Sequence, residues 1–130
     1  MPEAAPVRVL VADDEDDIRG LVCLAVGRAG AQVRHAVADG TAALAAARAE
    51  LPQLAVLDVS MPGATGLEVC AALRADAATA GITILLLSAG ASADDIARGL
   101  AAGADAYLPK PFSVAALVRQ IRELTAGVPA

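Results

Sequence analysis

The chain is short of aromatic residues. Its 130 residues include no Trp, one Tyr (Tyr107) and one Phe (Phe112). A surface that reads nucleic acid by stacking on bases needs such side chains. Positive charge is also scarce, with ten Lys and Arg against fifteen Asp and Glu, for a formal net charge of −5. Holding a phosphate backbone requires the opposite balance, so direct nucleic-acid binding is not expected. The two cysteines, Cys23 and Cys70, are far apart and sit among apolar neighbours in helical patterns. That spacing excludes a CxxC metal or redox motif and predicts two reduced core thiols. No apolar run approaches the roughly 20 residues of a membrane span. Residues 1–6, Met-Pro-Glu-Ala-Ala-Pro, lack the charged and apolar regions of a secretion signal. The sequence therefore reads as cytoplasmic, with no membrane association.

Aliphatic residues make up for the missing aromatics. Apolar content is 57%, so the core must be built from Ala, Val, Leu and Ile, and the length suits one domain. Apolar runs alternate with helical patterns. Residues 7–12 read as a first strand, and residues 15–29 as a helix carrying Ile18, Leu21, Val22 and Ala25 on one face. Residues 31–36 read as a second strand, followed by a helix capped by Asp39 and ending before Pro52. Residues 53–58 form a third strand, 66–75 a third helix and 82–88 a strand buried on both faces. Ser92 starts a fourth helix that ends at Gly103. Residues 104–108 give a fifth strand, and a last helix follows Ser113. Such (βα)₅ alternation demands a parallel sheet covered on both faces. The expected fold is a flavodoxin-like, doubly wound α/β sandwich with strand order 2-1-3-4-5. The expected divisions are a loose lead over residues 1–6, one domain over 7–126 and a tail over 127–130.

Polar residues stand where these strands end. Asp13 and Asp14 follow the first strand, Asp58 closes the third, Ser88 closes the fourth, and Lys110-Pro111 lies just past the fifth. Parallel strands point their C-terminal ends at one edge of the sheet, where ligands bind. Three carboxylates at that edge repel one another unless a cation or proton intervenes, and hard oxygen ligands left partly wet suit Mg²⁺. Asp58 can attack a phosphorus centre, since carboxylates form covalent phosphoryl intermediates. Positive charge from Lys110 and the metal offsets the repulsion between two anions, because phosphoryl transfer is catalysed mainly by placement and electrostatics. Ser88 can donate a hydrogen bond to a phosphoryl oxygen. Taken singly, each residue has a plainer reading: Asp14 as a helix cap, Asp58 or Ser88 as a turn residue, Lys110 as a solvated charge. His35 lies outside the set and is read as structural, so the chain has no phosphohistidine of its own to donate.

The segments Val11-Ala12-Asp13-Asp14-Glu15, Leu57-Asp58-Val59-Ser60-Met61-Pro62-Gly63, Leu87-Ser88-Ala89, Gly103-Ala104-Asp105-Ala106-Tyr107 and Lys110-Pro111-Phe112 together resemble the receiver domain of bacterial two-component response regulators, over about residues 7–126. The resemblance implies that Asp58 accepts a phosphoryl group from a histidine kinase or phosphotransfer protein. It implies Mg²⁺ as cofactor, held by Asp13, Asp14, Asp58 and the Ser60 backbone carbonyl. It implies a cis peptide between Lys110 and Pro111, and a switch in which Ser88 moves and Tyr107 follows. On this reading the chain catalyses only its own phosphoryl transfer and dephosphorylation. Its signal passes through the fourth helix, fifth strand and fifth helix to a downstream protein or a fused output domain. Receivers of winged-helix regulators dimerise through charged residues on that face. Here the corresponding positions are Ala106, Ala116 and Gln120, so that charged dimer is not expected. Small residues at Ser60 and Ala89 leave the phosphoryl group open to water. Gly99, inside the fourth helix, is read as a source of mobility that Ala would stiffen.

Two other classes share part of the pattern. A haloacid-dehalogenase-like phosphatase wants Asp-x-Asp on its first strand and a cap domain, whereas this chain has adjacent aspartates and its best nucleophile on strand three. A flavodoxin-like cofactor binder wants a Ser-, Thr- or Gly-rich phosphate loop, and here that position is Asp-Asp-Glu-Asp-Asp.

Overall fold

The computed structural model describes residues 5–126. The tail at 127–130 and most of the expected lead at 1–6 lie outside the described residues. Ten elements alternate: β1 (Arg8–Ala12), α1 (Asp16–Arg28), β2 (Gln32–Val37), α2 (Gly40–Glu50), β3 (Leu54–Asp58), α3 (Gly66–Ala75), β4 (Thr83–Ser88), α4 (Ala93–Ala101), β5 (Ala106–Pro109) and α5 (Val114–Thr125). The five strands form one parallel sheet in the order β2-β1-β3-β4-β5. This is the expected doubly wound sandwich.

Side chains along a strand point alternately to opposite faces, and the core divides accordingly. Val9, Val11, Leu54, Val56, Leu85 and Leu87 face α1 and α5, where Val22, Val26, Leu117 and Ile121 meet them. Leu10, Ala12, Ala55, Leu57, Ile84 and Leu86 face the other layer, against Ala43, Ala47, Val69, Cys70 and Leu73. The central strands β1, β3 and β4 are almost wholly buried, while edge strand β2 is mostly exposed. Burying each Val or Leu is worth roughly 1.5–3 kcal/mol, so the three apolar runs supply most of the drive for the fold.

Caps fix the helix starts that lead away from the site edge. Asp39 accepts from Ala42 N, Ser92 from Asp95 N and Ser113 from Ala116 N. Thr65 and Glu68 form a reciprocal capping box at α3. Gly66 begins α3 directly against the Asp58 backbone: a Cβ there would run into the Asp58 carbonyl, so only glycine lets the helix start so close to that strand end.

Three expectations need adjustment. Cys23 is half-buried rather than fully in the core, whereas Cys70 is fully buried; burial pushes both free thiols up. His35, expected near the end of the second strand, lies within β2, and its Nε2 is 3.1 Å from Glu50 Oε1. The fifth strand begins two residues later than expected. Asp105 uses its carboxylate to accept the Ile84 N–H at 2.8 Å and to pair with Arg74 at 2.9 Å, and strand pairing starts at Ala106 opposite Leu85.

Candidate functional site

Four strand ends deliver polar groups to one edge of the sheet. Asp13 leaves β1 fully buried and Asp14 leaves it exposed, because consecutive residues turn to opposite sides. Asp58, the last residue of β3, is 3% exposed, and Ser88, the last of β4, is 8% exposed. Lys110 follows β5, and the peptide joining it to Pro111 is cis. One carboxylate oxygen from each of Asp13, Asp14 and Asp58 lies within 4.8 Å of the others. Lys110 Nζ stands 3.0 Å from Asp13 Oδ2, 3.4 Å from Asp58 Oδ1 and 3.5 Å from Glu15 Oε1. The sequence places these groups 97 residues apart, and the sheet brings them into contact.

Each group is held from behind. Asp13 Oδ1 accepts the Glu15 N–H at 2.9 Å, and its carbonyl accepts from the Arg19 guanidinium at 3.0 Å. Asp58 Oδ1 accepts the Ser60 N–H at 3.4 Å. The Lys110 N–H donates to the Ser88 carbonyl at 2.6 Å, which locks the ends of β4 and β5 together. Asp14 has no such tether among the described residues and stands exposed at the mouth. A cavity of about 250 Å³ opens there, lined by Asp14, Glu15, Asp58, Ser60, Ala89 and Lys110.

The electrostatics follow from burial and crowding. Loss of solvent pushes the Asp58 carboxyl up, the Asp13 charge adds to that, and Lys110 and the Ser60 N–H pull back; the net result is about 6. Burial draws the Lys110 ammonium down, but its hydrogen bond to Asp13 and the Asp58 and Asp13 charges outweigh this, leaving it raised. Lys110 is therefore a fixed cation at neutral pH, shared between two acids and insufficient to neutralise three. Such a set fits a divalent cation: hard oxygen donors, one exposed carboxylate and a surplus of negative charge.

A second cluster adjoins the first. Ser88 Oγ accepts the Gly90 N–H at 3.0 Å, so its own hydroxyl hydrogen stays available to donate. Tyr107 donates its hydroxyl to the Gly90 carbonyl at 2.6 Å. A small cavity of about 200 Å³, lined by Val59, Leu67, Ser88, Asp95, Arg98 and Tyr107, separates the two side chains. Gly99 of α4 packs on the Tyr107 ring: an added Cβ would lie 2.7 Å from its Cδ2 and 3.2 Å from Leu86 Cδ1. Gly99 therefore answers to close packing, which corrects its reading as a source of mobility. Glu15 and Gly90 were not singled out from sequence. The adjacency of Glu15 to the acid pair was the available signal, and Gly90 had none.

The family model for the response regulator receiver domain matches residues 9–122. The chain is 43% identical over 119 residues to the transcriptional regulatory protein CseB of Streptomyces avermitilis, covering 92% of this chain and 49% of that protein. It is 37% identical over 115 residues to the DNA-binding response regulator MtrA of Mycobacterium tuberculosis, covering 88% of this chain and 49% of that protein. The chain thus spans about half the length of these curated relatives. Among solved structures it is similar to the chemotaxis response regulator CheY4 of Vibrio cholerae, with a TM-score of 0.85 at 33% identity, covering 92% and 99% of the two chains. It is also similar to the receiver domain of the Francisella response regulator 1452, with a TM-score of 0.84 at 30% identity, covering 92% and 97%.

Proposed function

Since the chain belongs to the response regulator receiver domain family, we propose that Asp58 is its phosphoacceptor and that residues 7–126 form the receiver domain. The observation that carries this reading is the meeting of Asp58 with Asp13, Asp14 and Lys110 at one strand edge. In the transfer, an Asp58 carboxylate oxygen forms a bond to phosphorus as the phosphorus–nitrogen bond of a kinase phosphohistidine breaks, and the imidazole keeps the electron pair. Lys110 stands beside both acids and is placed to meet the negative charge of the incoming phosphoryl oxygens. Ser88 has a hydroxyl hydrogen free to meet one of those oxygens, at the cost of its bond from Gly90.

The residues suited to hold Mg²⁺ are Asp13, Asp14, Asp58 and the Ser60 carbonyl. The bound ion supplies charge that offsets the repulsion between carboxylate and phosphoryl group. Buried Asp13 keeps its place through Glu15 N and Lys110, and exposed Asp14 completes the set from the solvent side. The chain then performs its own phosphorylation and hydrolysis and turns over no other substrate. Receiver domains interact with histidine kinases, and the partners proposed here are a kinase or phosphotransfer protein and a downstream protein or output domain. Among the described residues no helix is long and apolar enough to cross a membrane, and the proposed setting is the cytoplasm. Ser88 and Tyr107 form the proposed switch, read out on α4, β5 and α5. Ala106, Ala116 and Gln120 leave that face without the charges of the winged-helix dimer.

The test is incubation with acetyl phosphate and Mg²⁺, followed by intact mass. A hydroxylamine-labile adduct is expected on the parent chain and not on Asp58→Ala. An adduct that survives the substitution removes Asp58 from the role.

A further inference from the structure

The cationic side chains of this acidic protein are used unevenly. Arg19, Arg48, Arg74, Arg98 and Lys110 each face a carboxylate within 4.0 Å. Among the described residues Arg8, Arg28, Arg34, Arg119 and Arg122 have no carboxylate within that distance, and three of these five, Arg28, Arg119 and Arg122, line one groove between the end of α1 and the outer face of α5. The groove encloses about 650 Å³. Val114 and Val118, half-buried and buried, give it an apolar floor. The Arg122 guanidinium donates to the Arg28 carbonyl at 3.1 Å, which pins the two helix ends together. From Val114 to Glu123 the helix rises about 14 Å, the reach of about four residues of extended chain.

We propose that the α1–α5 groove docks an acidic peptide segment of a partner protein, its carboxylates on Arg28, Arg119 and Arg122 and an apolar residue on Val114 and Val118. Charge complementarity singles out this occupant. On a chain of net charge −5 the general field repels acidic ligands, so three unpaired guanidiniums in one groove mark the place where such a ligand is attracted. A guanidinium matches a carboxylate with two parallel hydrogen bonds. The valine floor offers an anchor that a free anion or a nucleic-acid backbone does not use. The lack of a lining aromatic weighs against nucleic acid, and the three guanidiniums outnumber the one carboxylate of the lining, Glu123. The groove shares no residue with the acidic site, so docking is independent of Asp58.

The probe is a fluorescein-labelled peptide about eight residues long, the length of an extended chain that overreaches the groove at both ends, alternating Glu and Asp with two Leu. It is titrated by polarisation into the full chain at low salt. Saturable, salt-sensitive binding is expected, unchanged in Asp58→Ala and Arg34→Gln, and weakened several-fold in Arg119→Gln/Arg122→Gln, both exposed charges that act mainly on the association rate. Because Arg122 also bonds Arg28, the single Arg119→Gln provides a variant that leaves the helix junction intact, and it is expected to weaken binding too. The proposal is overturned if the acidic peptide does not bind, if its Gln/Asn analogue binds equally, or if Arg34→Gln weakens it as much as Arg119→Gln. Tighter binding of a single-stranded oligonucleotide of equal length would overturn it in favour of nucleic acid.

Discussion

Ser88 and Tyr107 hold opposite backbone ends of the same residue: Gly90 gives its N–H to the Ser88 hydroxyl oxygen and takes the Tyr107 hydroxyl on its carbonyl. The loop into α4 is therefore clamped by two side chains from neighbouring strands. Tyr107→Phe removes one arm and keeps the ring. The expected loss is about 1 kcal/mol of stability, that of one hydrogen bond, together with faster amide exchange at Gly90. Unchanged exchange there would show that the hydroxyl is not what restrains the loop.

Gly99→Ala tests the packing of α4 on the Tyr107 ring. Alanine gains roughly 0.5–1 kcal/mol of helix preference, whereas overpacking costs typically 1–3 kcal/mol. An added Cβ 2.7 Å from Cδ2 is too close to stay without a shift, so net destabilisation is expected in urea unfolding. The same change in a Tyr107→Leu background is expected to be neutral or stabilising. Equal costs in both backgrounds would show that the ring is not the obstacle.

Asp58 makes stability depend on pH when no divalent cation is present. Its carboxyl is pushed from 3.8 to about 6, so the native state holds that proton to higher pH than the unfolded chain does. The resulting contribution favours the fold at low pH and is lost as pH rises from about 4 through about 6. A shift of roughly two units corresponds to at most about 3 kcal/mol. In EDTA, Asp58→Asn is expected to flatten this decline and to stabilise the chain by about 1–3 kcal/mol above pH 7. Added Mg²⁺ is expected to raise the melting temperature of the parent more than that of the variant. A variant with the parent's slope refutes the assignment.

Lys110→Ala leaves buried Asp13 without its 3.0 Å partner. Breaking a buried pair by removing one member costs about 3–5 kcal/mol, and that range is expected here in EDTA, with part recovered by Mg²⁺. Adduct formation with acetyl phosphate is expected to fall even where Mg²⁺ restores folding. A variant with full stability in EDTA would mean that water, and not Lys110, stabilises the Asp13 charge.

Much of this architecture was legible from residue pattern. The runs ending at Ala12, Asp58 and Ser88 are aliphatic and bounded by polar residues, so their strands and the edge they share could be read directly. The start of β5 is hard to place from sequence, because Asp105 meets β4 with both its backbone N–H and its side chain, which no local periodicity reports. Gly99 was misjudged for a similar reason: its neighbour is a ring eight residues away in sequence and across a loop. Glu15 reaches Lys110 and Gly90 bridges two hydroxyls only through the geometry of loops, and sequence spacing carries little of that.

The short hydrogen bond from the Lys110 N–H to the Ser88 carbonyl joins the residue beside Asp58 to the strand end that carries one half of the proposed switch. Neither strand end can be displaced without dragging the other. Linkage then runs both ways: a protein that grips the α4–β5 side more firmly in one state alters, by the same factor, how readily that state is populated at Asp58. On the proposed reading, the receiver is tuned by its listeners as well as by its donor.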